Sequence, residues 1–70
     1  QVPVQTLQDA IRYGKAMPDP EGSSATMYYT IMYKNGKMYN LEVLYDETTN
    51  TVYHFEYARK AMGNLPAIPK

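Results

Sequence analysis

The sequence predicts an α+β fold in which one short N-terminal helix packs on a three-stranded antiparallel β-meander. Three observations carry this: apolar residues at helical spacing near the N-terminus, three tyrosine-rich runs of alternating character, and two turn signals between those runs. Strands joined by tight turns pair antiparallel, and one face of such a sheet must be covered.

Val4, Leu7 and Ile11, with Ala10 beside them, recur at three- and four-residue spacing and predict an amphipathic helix over residues 3 to 13. Pro3 suits the first turn, and Gly14 is a natural stop because the residue past the last turn often needs a left-handed backbone. Helices below about 12 residues are marginal in water, so this one must dock on the sheet. Residues 14 to 24 read as a loop, since Pro18, Pro20, Gly22 and two serines cannot pair in a central strand. Long loops in small domains are often functional.

The strands follow at 25 to 34, 37 to 46 and 51 to 58, leaving a proline-broken tail at 59 to 70. Asn35-Gly36 is a strong two-residue hairpin signal, because both residues must accept positive φ. Pairing Lys34 with Lys37 sets Tyr28 opposite Val43, Thr30 opposite Leu41 and Met32 opposite Tyr39, with Tyr29 opposite Glu42 on the other side. Thr48-Thr49-Asn50 fits a three-residue loop ending in a left-handed position, which puts Tyr53 opposite Tyr45, Phe55 opposite Val43 and Tyr57 opposite Leu41. Tyr28, Tyr39, Leu41, Val43, Tyr45, Tyr53, Phe55 and Tyr57 then form the core face, to be covered by Val4, Leu7 and Ile11. The opposite face carries Tyr29, Ile31, Tyr33, Asn40, Glu42, Leu44, His54 and Glu56, neither cleanly polar nor cleanly apolar.

A chain of 70 residues is one domain. At about this size only roughly 60% of the unfolded surface is buried, so stability is marginal and help from a partner or a larger parent chain is expected. Absence of cysteine excludes a disulfide framework and a thiolate zinc site. Seven Lys plus Arg balance seven Asp plus Glu, so no global charge draws the chain to phosphate or lipid. No apolar run approaches membrane-spanning length, and a start at Gln1 reads as a fragment or processed product.

The lone histidine concentrates the chemical interest. His54 lies one step along its strand from Glu56, which this register sets opposite Glu42, with Tyr29 on the neighbouring strand. Neighbouring carboxylates raise each other's pKa, and an imidazole beside them can take or give a proton. Cleaving RNA without a metal needs a base for the ribose 2′-hydroxyl, an acid for the leaving oxygen, and a donor for the phosphate. His54, Glu42, Tyr29 and Arg59 are the candidates for those roles. The same carboxylates and imidazole also fit ordinary solvated strand positions, and a one-residue slip in register would turn His54 to the core face. Metal binding has no spacing motif behind it, a sugar cleft has no depth in so small a sheet, and the scattered glycines make no phosphate loop. No cofactor is expected. Tyr33 beside Tyr29 offers a stacking surface for bases, and Arg12, Lys15 and Lys60 are candidate RNA contacts.

Four pieces, DAIRYGKAMPDPEG (9 to 22), Ala25-Thr26-Met27, KNGKMYNLEVLY (34 to 45) and TNTVYHFEYAR (49 to 59), resemble C-terminal toxin domains of bacterial polymorphic toxin systems, contact-dependent growth inhibition effectors above all. The likeness spans about 50 of the 70 residues through diffuse motifs rather than a catalytic signature. It implies a fold of the barnase, EndoU, colicin and RelE ribonuclease group, with helices on one side of an antiparallel sheet and RNA, tRNA in particular, cut on the other. His54 within VYHFEY matches a histidine of that group, whereas its longer helical part and stronger positive charge are missing here. The resemblance further implies export as part of a larger effector, action in the target-cell cytoplasm, a cognate immunity protein, and room for a host protein cofactor. A reading from another class stands beside it: a binding module that offers the tyrosine-bearing face or a strand edge to a partner protein.

Overall fold

The computed structural model describes residues 2 to 60, and the remainder of the tail expected at 59 to 70 lies outside them. Helix α1 (Val4–Tyr13) is followed by strands β1 (Lys15–Pro18), β2 (Thr26–Lys34), β3 (Lys37–Asp46) and β4 (Thr51–Ala58). The α+β class holds, but the sheet has four strands rather than three, all antiparallel and in sequence order. The added strand comes from the expected loop. Lys15 to Pro18 pair with Tyr29 to Thr26 at the sheet edge, where Pro18, as the last strand residue, interrupts no ladder beyond it.

Helix α1 rests on β2 and β3. Leu7 and Ile11 pack against a core of Val2, Ala10, Met32, Leu41 and Val43, with Tyr39, Tyr45 and Tyr57 around it. The expected anchor Val4 is instead 68% exposed, and Val2 is buried in its place. Val2 immediately precedes the helix cap Pro3, and Leu7 is the fourth helical residue, the two positions of a hydrophobic staple that fixes how the chain enters the helix. Gly14 ends the helix with φ −73° and ψ 168°, extended rather than left-handed as expected. Its lack of a side chain answers a different need. A Cβ there would stand 2.4 Å from the Ala10 carbonyl oxygen and 2.9 Å from that of Tyr29.

The β2–β3 hairpin has the expected register throughout, from Lys34 opposite Lys37 to Tyr28 opposite Val43, with Asn35 and Gly36 both at positive φ. At the β3–β4 turn, Asn50 takes its expected positive φ, but Asp46 pairs directly with Thr51, so the loop has four residues rather than three. The register then shifts between Leu44 and Tyr45: Tyr45 faces Val52, whereas Leu44 faces His54. Tyr53 is therefore the extra residue of a β-bulge, not the partner of Tyr45, and it leaves the core face. Phe55 keeps its place opposite Val43 yet is 41% exposed, since α1 packs mainly on β2 and β3.

Candidate functional site

Antiparallel partners share a face, so the register builds the site on the side of the sheet away from α1. One row across the four strands reads Lys15, Tyr29, Glu42 and Glu56, and the next reads Met17, Met27, Leu44 and His54. The bulge decides this. Continued at the register of Asp46–Thr51 and Tyr45–Val52, β4 would set His54 opposite Val43 on the core face; the additional residue at Tyr53 turns it to Glu42.

His54 Nε2 lies 2.9 Å from Glu42 Oε2 and 3.9 Å from Glu56 Oε1. An ionised carboxylate only accepts, so Nε2–H donates to Glu42 and Nδ1 is left with a lone pair in the neutral ring. Glu42 is the more enclosed carboxylate, its side chain 17% exposed against 57% for Glu56. Tyr29 is buried in the same cleft. Burial raises its phenol pKa above the ordinary value, and the charges of Glu42 and Asp19 add to the rise, so the hydroxyl keeps its proton and remains a donor.

The segment after β1 makes the opposing wall. Asp19, Pro20 and Glu21 line a cleft of about 570 Å³ together with Met27, Tyr29, Glu42, Leu44, Tyr53 and His54, within the roughly 300–1,000 Å³ usual for small-ligand sites. Asp19 shapes that wall by accepting hydrogen bonds from the Glu21 and Ser23 amides and the Ser23 hydroxyl, while Gly22 supplies a φ of +87°. These bonds, that of Ser23 foremost, hold the Asp19 carboxyl below its usual pKa. At the far end of the cleft the Tyr53 hydroxyl donates to Asp46 at 3.0 Å, which likewise lowers the Asp46 pKa. A second groove, about 760 Å³ between α1 and the β3–β4 hairpin, is lined by Val4, Leu7, Ile11, Tyr45 and Val52 together with polar side chains that include Asp9 and Arg12. It contains no hydrogen-bonded acid and base among the described residues, whereas the smaller cleft holds the His54–Glu42 pair.

Of the residues expected to act, His54, Glu42 and Tyr29 come together, and Lys15 stands in their row. Arg59 does not join them: its guanidinium lies over the ring of Tyr39, on the face that packs against α1. Arg12, over Tyr13 at the helix end, lies on that side as well. Tyr33 shares the His54 face but pairs with Met38, six residues along β3 from the Leu44 that faces His54, or about 20 Å at roughly 3.4 Å per residue. Lys60 follows β4, and its carbonyl accepts from Asn40 Nδ2. Asp19 and Tyr53 were absent from the sequence-based set. The Asp-Pro-Glu-Gly-Ser run is an Asx-turn signal for the first, whereas alternation cannot reveal a bulge.

No family model, curated protein or solved structure matches this chain. The reading of the site therefore rests on its own geometry. No helix among the described residues is long and apolar enough to cross a membrane.

Proposed function

We propose that the chain is a ribonuclease toxin domain that cuts RNA, tRNA in particular, by acid and base chemistry needing no metal at the face bearing His54. The supporting observation is the 2.9 Å contact between His54 and Glu42 beside a buried, protonated tyrosine. Glu42 holds the imidazole through Nε2, so Nδ1 takes the ribose 2′-hydroxyl proton as that oxygen attacks the phosphorus. The 5′-oxygen leaves with a proton returned from the protein or from water. Tyr29 donates a hydrogen bond to the developing negative charge, and Lys15, opposite Tyr29 on β1, supplies the positive charge in place of Arg59. Contacts to the rest of the RNA fall to basic residues outside the cleft such as Lys60, which follows β4.

This reading carries with it an effector that delivers the domain to a target-cell cytoplasm, an immunity protein that covers the cleft, and a place for a host protein cofactor. One observation favours the second reading, a binding module without catalysis. β4 is an edge strand with Val52, Tyr53 and Phe55 all exposed, a surface suited to strand addition by a partner. Incubating the purified chain with total RNA in EDTA separates the two. Cleavage that persists in the chelator is the expected result, and intact RNA both with and without added divalent ions would leave the binding module as the account.

A further inference from the structure

We infer that Glu42, His54 and Glu56 form a site for a divalent cation of the zinc class, and that occupation of this site switches off the proton transfer assigned to His54. The switch rests on the ribonuclease reading, whereas the site stands on its own geometry. One Glu42 oxygen, the His54 nitrogen and one Glu56 oxygen all lie within 4.8 Å of one another. Zinc bonds of about 2.0–2.2 Å in a tetrahedral arrangement separate neighbouring ligand atoms by roughly 3.4 Å. The separations of 2.9 Å and 3.9 Å from Nε2 to the two glutamates straddle that value. The Cα positions are set by the direct pairs Glu42–Glu56 and Leu44–His54, so closing the site calls on the side chains rather than on the strands.

Charge supplies an independent reason. Two glutamates directly opposite on neighbouring strands repel, and both turn toward a single imidazole. Asp19 and Glu21 add further negative charge across the cleft. A divalent ion neutralises the pair more fully than a neutral imidazole can. One nitrogen and two carboxylate oxygens suit zinc and its neighbours, whereas magnesium prefers an octahedral set of oxygens and keeps its waters. The Glu56 and His54 side chains are open to solvent, which leaves an entry path and a fourth position for water.

The ion takes the Nε2 lone pair, and the ring proton formerly shared with Glu42 moves to Nδ1. Nδ1 then no longer accepts a proton, and RNA cleavage falls as the metal binds.

Calorimetric titration of the 70-residue chain with Zn²⁺, supported by the visible absorption of Co²⁺, tests the site. One ion per chain is expected, with affinity weakened about tenfold or more in both His54→Ala and Glu56→Gln, each checked for folding by circular dichroism. Equal affinity in wild type and Glu56→Gln, or no binding in any of the three, overturns the site. Zn²⁺ added to the cleavage reaction reads the switch separately, and rising cleavage with rising Zn²⁺ would contradict it. Binding is read without RNA, so failure of the ribonuclease reading and failure of the metal site are distinct results.

Discussion

Two carbonyl oxygens, rather than a turn, require glycine at position 14. The Gly14 amide donates to Ala10 O at 2.8 Å, and Tyr29 O lies beside it, so any side chain meets backbone on both sides. Gly14→Ala should therefore cost about 1–3 kcal/mol, the usual range for forcing atoms into a packed site. Urea denaturation would show it as a lower midpoint with an unchanged slope, and an unchanged midpoint would mean that the helix-to-sheet junction relaxes freely. Tyr29 connects this junction to the site. Its carbonyl packs on Gly14 while its side chain enters the cleft with Glu42 and His54, so a single residue spans the helix junction and the cleft.

Among the elements, the β3–β4 hairpin matters most to the site. Asp46 closes its turn by accepting from the Thr48 amide and the Tyr53 hydroxyl, and so ties the loop to the bulge. Asp46 and Asp19 both have folded pKa values below their unfolded ones, so the stability they contribute is present above the unfolded carboxyl value of about 3.9 and lost as pH falls through the folded values. Circular dichroism across an acid titration should show unfolding begin below about pH 4, with Asp46→Asn less stable near neutrality and less sensitive to acid. Equal acid sensitivity in the variant would remove Asp46 from this role.

The β2–β3 hairpin was legible because Asn-Gly specifies both its turn and its register. His54 was placed on the Glu42 face by a three-residue loop that does not exist. The real loop has one more residue, and the bulge at Tyr53 restores the alternation, so Val43–Phe55 and Leu41–Tyr57 came out right while Tyr45–Tyr53 did not. Strand β1 was hidden because proline and glycine mark a loop equally well at a sheet edge. Val4 and Val2 exchanged roles because helical periodicity counts only residues inside the helix.

At the scale of the molecule, among the described residues one helix covers the β2 and β3 part of one sheet face, and the two faces differ in character. The face beneath α1 buries Leu41 and Val43 completely and stabilises the chain. The opposite face buries Tyr29, Met27 and Asp19 and gathers polar groups around His54. The most direct measurement is RNA cleavage in EDTA by wild type and His54→Ala, with folding of both verified by circular dichroism. Loss of cleavage by about a hundredfold or more in the folded variant is the predicted result, in keeping with removal of a general base. Cleavage at the wild-type rate by folded His54→Ala would contradict the assignment of this face as the catalytic one.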